Sequence, residues 1–280
     1  MNNPLLKTMK IGFIGAGNMS QVMIKGMVES KLIKPDHIIV SNRTPGKLLK
    51  LEELYGVQTR KHNEQVVEEC DVVILAMKPQ DLPAAVEVIA NHFEPHQTII
   101  SLAAGINLKM LEHMMPIGRH ARLMPNTPSL IGQGVIGYLV QNDEEIIADL
   151  IEDLFSTLGT LIEVDNEDQF DALMISCSSG TGFIFEMMMY WQDWIEERGF
   201  SEEISKRMTI ETFLGASMLA AQSVGIDIEE LQSRVASKKG VTAAGLNSMR
   251  ELEIERTLRI SFEKAALRSK ELSNEAVKGR

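Results

Sequence analysis

Short apolar runs alternate with amphipathic stretches along the first 165 residues, a pattern typical of an α/β domain. The apolar runs are rich in Val and Ile and show little polar alternation, which indicates strands covered on both faces, as in a parallel sheet. The predicted strands are 10–14, 37–41, 57–59, 72–76, 98–102 and 120–124, then a run ending at Val140, and 160–164. Helices between them include 19–30, 45–54 and 143–157. The pattern therefore predicts a doubly wound, Rossmann-like sheet.

Strand signals disappear after about residue 166, and long helices take over. Segments 183–198 and 202–224 are predicted helices, with Gly199 as a stop signal between them. The centre of the second helix is apolar almost all round, so it must be buried on every face. A helical domain of about 115 residues buries such a helix poorly alone. We therefore predict two domains, residues 1–165 and 166–280, the second all-helical and forming a homodimer or higher homo-oligomer.

A glycine turn between the first predicted strand and helix is the most informative local feature. Residues 10–20 read K-I-G-F-I-G-A-G-N-M-S, with Ser20 in place of the third glycine of G-x-G-x-x-G. Backbone N–H groups and the positive end of a helix converge there, which favours a pyrophosphate. The strand, turn and helix supply the context that a dinucleotide fingerprint requires. The predicted cofactor-binding residues are Gly15, Ala16, Gly17, Asn18 and Met19.

The end of the second predicted strand indicates which dinucleotide is bound. An NAD site usually has Asp or Glu there, which bonds the ribose hydroxyls. This strand ends in Ser41, Asn42 and Arg43, without an acid. These side chains suit a ribose phosphate, which Arg43 can bind through two parallel bonds, so the sequence predicts NADPH with NADH as the alternative. Thr44-Pro45 can also simply begin the next helix, and the two roles are compatible.

Charge and cysteine content narrow the function classes. The formal net charge is −11, which argues against nucleic acid as a partner, because phosphate binding requires a basic face. Two distant cysteines without C-x-x-C spacing indicate a reducing, cytoplasmic compartment. No apolar run reaches the length of a membrane span, and residues 1–8 resemble a short disordered extension. Six histidines are scattered, and Pro95 separates the closest pair, so no metal site is predicted.

Four further motifs follow in order along the chain. They are A-M-K-P at 76–79, R-L-M-P-N-T-P at 122–128, S-K-K-G-V-T-A-A-G-L at 237–246 and R-S-K-E-L at 268–272. With the glycine turn, they resemble the pyrroline-5-carboxylate reductase family over nearly the whole chain. The resemblance implies hydride transfer from NAD(P)H to the C=N carbon of pyrroline-5-carboxylate, giving L-proline in the last step of its biosynthesis. It also implies an active site between the cofactor domain and a partner's helical domain.

The resemblance assigns the substrate to a loop before a C-terminal helix. Thr242 corresponds to the family's threonine, whose hydroxyl bonds the ring nitrogen and helps to protonate it. The cofactor supplies the hydride, so the protein needs only to supply position and a proton donor. Capping of a helix is the alternative role of this threonine. Ser237, Gly240 and Val241 are the other substrate-binding candidates, since backbone N–H groups at such a turn can hold a carboxylate.

The resemblance also extends the cofactor site. It places the backbone of Ala76, Met77 and Lys78 along the nicotinamide ribose, although Lys78 can equally be a solvent-exposed lysine. It places Asn63 near the adenosine and Ala104 near the nicotinamide. Residues 122–128 are expected to form a wall of the crevice, with Asn126 satisfying buried backbone groups.

Two segments depart from the family pattern. Lys238-Lys239 replaces Pro-Gly, which removes rigidity and restricts positive φ. The two ammonium groups can attract the substrate carboxylate or form a solvated loop tip. Residues 177–183 read C-S-S-G-T-G-F where the family has S-G-S-G-P-A-Y, a turn that opens a long helix. Ser179 is a candidate contact in that turn.

Two alternative functions stay open. A β-hydroxyacid dehydrogenase has a similar N-terminus, but it carries a lysine a few residues after an S-G-x-x-G turn, and residues 182–191 contain no lysine. A non-enzymatic paralogue would keep the fold for a regulatory or interaction role, and the altered residues at 181–182 and 238–239 favour it. The methionines at 187–189, with Trp191, are expected to pack in a core or dimer interface.

Overall fold

A computed structural model describes residues 6, 8–141 and 144–278, with side chains to residue 272. The described chain forms two compact units. The first runs to Ser179 and includes the chain again from Ala265, and the second is Gly180–Lys264. The predicted N-terminal extension lies mostly outside the described residues, as does residue 143, the predicted start of a helix. The domain boundary at 165 and 166 stays a prediction, based on the change from strands to helices.

An eight-stranded sheet forms the centre of the first unit, in the order β3-β2-β1-β4-β5-β6-β7-β8. β1 has β2 on one side and β4 on the other, so the strand order reverses between β1 and β4. Every residue of β1, β2, β4 and β5 is buried, as predicted for strands covered on both faces. The strands are β1 (Ile11–Ile14), β2 (Ile38–Ser41), β3 (Gln58–Arg60), β4 (Val72–Leu75), β5 (Thr98–Ser101), β6 (Arg119–Met124), β7 (Gly134–Val140) and β8 (Gly159–Glu163).

The last two strands run opposite to the others. β6 pairs antiparallel with β7, and β7 pairs parallel with β8. Only residues 125–133 join β6 to β7, whereas a parallel neighbour requires a crossover of about a dozen residues or more. The doubly wound sheet thus has an antiparallel junction between β6 and β7. The doubly wound, mainly parallel architecture is confirmed.

Helices pack on both faces of the sheet and form two buried clusters. One cluster includes Phe13, Ile74 and Phe155, and the other includes Val66 and Val73. Neighbouring residues of β1 and β4 thus point to opposite faces. The helices of this unit up to residue 173 are α1 (Asn18–Glu29), α2 (Pro45–Tyr55), α3 (Asn63–Glu69), α4 (Leu82–Ile89), α5 (Leu108–Met114), α6 (Glu145–Phe155) and α7 (Glu167–Leu173).

The second unit is helical, and its first helix continues from the first unit. α7 passes through a π-helical segment, Met174–Ser179, into α8 (Gly180–Glu196). The predicted turn before this helix is therefore wrong, because the chain keeps a helical path with wider π winding. Gly199 has a φ of +92° and follows the end of that helix, as predicted. The remaining helices are α9 (Glu202–Gln222), α10 (Ile228–Val235), α11 (Val241–Glu251) and α12 (Ile254–Lys278).

Apolar residues of the second unit stay exposed in a single protomer. On α9 only Ser205 and Thr209 are buried, whereas Leu214, Met218 and Leu219 are about half-exposed. The continuous helix Glu167–Glu196 has a mean hydropathy of 1.3 in its most apolar window, and 22% of that window is buried. By length and composition alone this helix could cross a membrane, and one such helix is not evidence that it does. Apolar helix surface of this extent is also what a subunit interface covers.

Candidate functional site

The turn after β1 depends on glycine at its first position. Gly15 has a φ of +112°, which side chains rarely allow. A Cβ at Gly15 would lie 2.6 Å from the carbonyl oxygen of Ala76. The segments that follow β1 and β4 are this close because the two strands are parallel neighbours. The N–H of Ala76 donates to the carbonyl of Ile14 at 3.0 Å. The turn can therefore leave the sheet directly at the switch point.

The glycine turn leads into α1, and no side chain caps the N-terminus of this helix. Gly17 is the N-cap, with extended backbone, and the first turn contains no acidic residue. The N–H groups of Asn18 and Met19 are among those that a helix leaves without an intrahelical partner. Ser20, in place of the third glycine, is buried and donates its hydroxyl to the carbonyl of Gly15 at 2.7 Å. These donors and the helix dipole suit a pyrophosphate.

Residues after β2 tie the second loop to the glycine turn. The Asn42 side chain accepts the N–H of Ala16 at 3.1 Å and donates to the carbonyl of Thr44 at 3.1 Å. The buried Ser41 hydroxyl donates to the Asn63 side chain at 2.8 Å. All three polar side chains were predicted as cofactor contacts. Asn42 joins the second loop to the glycine turn, whereas Ser41 and Asn63 join the end of β2 to the start of α3.

Arg43 reaches away from this network. Its side chain is 85% exposed, and its Nη2 lies 3.2 Å from Oδ2 of Asp81. Thr44 occupies the N-cap position of α2 and Pro45 its first helical position, as the alternative reading expects. The Thr44 side chain forms no capping bond, however, so helix capping does not occupy its hydroxyl. A guanidinium and a hydroxyl therefore remain at this rim for an anion.

The predicted cofactor residues converge at one edge of the sheet. The segments after β2, β1, β4 and β5 follow four neighbouring parallel strands, so they leave the sheet at the same edge. Ala76, Met77 and Ala104 are half-buried there, whereas Lys78 is exposed. Ligands of open α/β sheets bind at this edge, where the strand order reverses. The candidate residues at the edge are Gly15, Ala16, Gly17, Asn18, Met19, Ser41, Asn42, Arg43, Asn63, Ala76, Met77, Lys78 and Ala104.

Arg122 is buried in the first unit, where it forms an ion pair and a cation–π contact. Its Nη1 donates to the carboxylate of Glu167, the first residue of α7, and its guanidinium lies 3.9 Å from the centre of the Phe170 ring. Burial lowers the pKa of Arg122, and the Glu167 carboxylate opposes that shift. Glu167 also accepts the N–H of Leu108 at 2.7 Å. One carboxylate thus links β6, the start of α7 and the start of α5, which follows the Ala104 loop.

Asn126 stabilises the segments around it, as predicted. Its side chain accepts the N–H of Val135 at 2.9 Å and donates to the carbonyl of Cys177 at 3.3 Å. The Ser178 hydroxyl donates to the carbonyl of Pro125 at 3.2 Å. The π-helical segment therefore hydrogen-bonds through two side chains to the loop after β6. π-helical winding is frequent at functional sites, so Ser179 stays a candidate contact.

The second unit contains the loop that carries Thr242. Gly240 is the N-cap of α11, which makes Thr242 the second residue of the helix and rules out the capping role considered above. The Thr242 side chain is exposed. Lys239 has a φ of +61°, a left-handed backbone conformation that glycine favours. A Cβ on Gly240 would lie 2.3 Å from the Ser237 hydroxyl oxygen, so a side chain there would require that hydroxyl to rotate away.

No sequence motif identified two residues of the candidate site, Asp81 and Glu167. Asp81 follows the A-M-K-P motif without belonging to it, and its pairing with Arg43 spans 38 positions. Glu167 is 45 positions from Arg122. Asn166 caps the helix that Glu167 begins, but local patterns cannot place a carboxylate beside a distant arginine.

The fold and this edge define a Rossmann-type oxidoreductase that uses a nicotinamide dinucleotide. A family model described as NADP oxidoreductase, coenzyme F420-dependent, matches residues 10–105. The model for pyrroline-5-carboxylate reductase dimerisation matches residues 167–272. The described residues contain no group of His, Cys, Asp and Glu side chains that could hold a metal ion.

Relatives of known activity match the chain along its length. Pyrroline-5-carboxylate reductase 1 of Bacillus subtilis is 32% identical over 98% of this chain and 93% of the relative. The Pseudomonas aeruginosa reductase is 33% identical, over 96% and 99% of the two chains. A reductase structure from Coxiella burnetii is 29% identical, with a TM-score of 0.87 over 95% and 99% of the chains. The chain belongs to the pyrroline-5-carboxylate reductase family, and its cofactor is NAD(P)H.

A structure with NADP bound shows the same fold. The Plasmodium falciparum pyrroline carboxylate reductase, with NADP bound, has a TM-score of 0.85 over 96% of this chain and 99% of its own. Its identity to this chain is 23%, so the likeness concerns the fold alone. The dimerisation model covers α8 to α11 and most of α12, the helices whose apolar side chains are exposed in one protomer. The predicted homo-oligomer is confirmed at the level of the family.

Replacement of Glu167 by Ala tests the buried ion pair. Without the carboxylate, the Arg122 charge stays buried and unpaired, so we expect the free energy of unfolding to fall by about 3 kcal/mol in urea denaturation. Glu145→Ala is the matched control, because Glu145 is also the first residue of a helix and is exposed. Equal losses in the two variants would show that helix electrostatics, not the Arg122 pair, explains the effect.

Replacement of Lys239 by Gly tests the loop backbone. Because Lys239 is left-handed, glycine should relieve strain and raise the free energy of unfolding by about 1 kcal/mol. Lys238→Gly, at the adjacent position without positive φ, should be neutral or destabilising. A loss of stability in Lys239→Gly would contradict the left-handed assignment.

Proposed function

We propose that the protein reduces 1-pyrroline-5-carboxylate to L-proline, the final step of proline biosynthesis, with NADPH as donor and NADH as a possible second donor. The observation that carries this proposal is the convergence of the dinucleotide candidates at the switch point of a chain that matches these reductases over 98% of its length. We also propose a cytoplasmic location, supported by two cysteines that form no disulfide.

The first unit supplies the groups that fit the dinucleotide. The free N–H groups of Asn18 and Met19 suit the pyrophosphate, and the guanidinium of Arg43 suits a phosphate on the adenosine ribose. Asn63, which accepts the Ser41 hydroxyl, is the candidate contact for the adenosine. The half-buried backbone of Ala76, Met77 and Ala104, with Lys78, would border the nicotinamide. The cofactor, when bound, supplies the hydride.

The loop before α11 supplies the groups for the substrate. The N–H groups of Val241 and Thr242 belong to the first turn of a helix and suit the substrate carboxylate, with Ser237 and Gly240 shaping the turn. The Thr242 hydroxyl does not cap the helix, so it is available to donate a hydrogen bond or a proton to the ring nitrogen of the substrate. Fixing the imine and its proton donor in place lowers the barrier, because little other chemistry is required of the protein.

The alternative of a catalytically weak or inactive paralogue has less support. It was based partly on Lys238-Lys239 in place of Pro-Gly. Lys239 has a φ of +61°, a conformation that glycine favours, and the N–H of Gly240 donates to the carbonyl of Ser237 at 2.9 Å, so the loop forms an ordered turn with lysine at this position.

Oxidation of NADPH in the presence of pyrroline-5-carboxylate tests the proposal, with Thr242→Val as the diagnostic variant. We expect turnover by the natural protein and a fall in kcat of about 100-fold in Thr242→Val, because valine keeps the shape and removes the proton donor. The Kd of NADPH should stay within about twofold, and Thr242→Ser should restore most of kcat. Absence of turnover with intact NADPH binding would favour the paralogue, and unchanged kcat in Thr242→Val would remove the threonine from catalysis.

A further inference from the structure

An acidic side chain faces the proposed phosphate-binding arginine. Asp81 is the last residue of the turn Pro79–Asp81, directly before α4, and its Oδ2 is 3.2 Å from Nη2 of Arg43. Both residues belong to the first unit, at the edge where the candidate cofactor residues converge. The pair therefore lies where the adenosine end of a dinucleotide is expected.

The Asp81 carboxylate makes no bond to its own helix. Asp81 directly precedes α4 with helical backbone, φ −88° and ψ −16°, and its side chain forms no capping bond. Its recorded side-chain partner is Arg43, on the segment after β2. The carboxylate is thus directed across the edge toward the guanidinium instead of back to its own helix.

This pairing affects the two nicotinamide dinucleotides differently. Arg43 is 85% exposed and Asp81 is 36% exposed, so the pair is only weakly stable and an anion can displace it. A ribose phosphate carries up to two negative charges and can bind the guanidinium through two bonds. It must displace Asp81 and then stay close to that negative charge. NADH has no phosphate on this ribose, so its binding neither displaces Asp81 from Arg43 nor places a phosphate beside the Asp81 carboxylate.

We propose that Asp81 is a specificity-determining residue, which competes with the ribose phosphate for Arg43 and so reduces the preference for NADPH over NADH. The proposal rests on the role of Arg43 given under the proposed function. An exposed carboxylate at this distance should weaken NADPH by about fivefold, equivalent to about 1 kcal/mol, and should leave NADH nearly unaffected. The effect should diminish as salt rises, because the charges are exposed.

Dissociation constants of NADPH and NADH, measured by calorimetry on the full-length protein, test this role. We expect Asp81→Asn to tighten NADPH about fivefold at low salt and to change NADH less than twofold. Glu29→Gln is the matched control, since it removes one exposed charge at the opposite end of α1, where Glu29 pairs with Lys25. It should change neither constant.

The Arg43→Ala variant separates the phosphate-binding role of Arg43 from the competing role of Asp81. If Arg43→Ala weakens NADPH selectively and Asp81→Asn tightens it selectively, the competition is supported. If Arg43→Ala is selective but Asp81→Asn leaves NADPH unchanged or weaker, the role of Asp81 is overturned and the phosphate role of Arg43 stands. If Arg43→Ala weakens both dinucleotides equally or neither, both assignments fail.

Discussion

The close approach of the Gly15 backbone to the carbonyl oxygen of Ala76 is the constraint on which the site depends. A side-chain carbon at Gly15 would lie 2.6 Å from that oxygen, and the backbone there has a φ of +112°. Only glycine allows the chain to leave β1 at this angle while β4 continues beside it. The N-terminus of α1 is thereby placed at the switch point, with its N–H groups uncapped by any side chain. A different turn would leave the same sheet without an anion site.

The other candidate cofactor residues are arranged around this turn. Asn42 joins the segment after β2 to the N–H of Ala16, which keeps the rim beside the helix N-terminus. On the other side, Glu167 joins Arg122 to the segment that follows the Ala104 loop. Most polar side chains here hold loops in place, and Arg43, which is largely exposed, is the one best suited to discriminate between ligands. The second unit contains the proposed substrate loop and the exposed apolar helices that the dimerisation model matches.

Local sequence patterns were sufficient to predict the strands, the glycine turn and the helical C-terminal region, because each follows from periodicity or from a fixed turn chemistry. They were insufficient where distant segments meet. Asp81 and Glu167 pair with arginines far away in sequence, and no spacing rule links such pairs. The reversed direction of β7 follows from the length of one connection, and the π-helical segment preserves helix where the family pattern suggested a turn. Thr242 was found by resemblance, and its backbone position then excluded capping.

Replacement of Gly17 by Ala tests the central claim most directly. Gly17 has a φ of −73°, and a Cβ there would lie 3.9 Å from its nearest recorded neighbour, so the fold itself accepts a side chain. The space above it is needed only if a pyrophosphate approaches the backbone. We predict that Gly17→Ala changes the free energy of unfolding by no more than about 1 kcal/mol, the cost of a poorer N-cap, and raises the Kd of NADPH at least tenfold. A stable variant that binds NADPH as tightly as the natural protein would contradict the account.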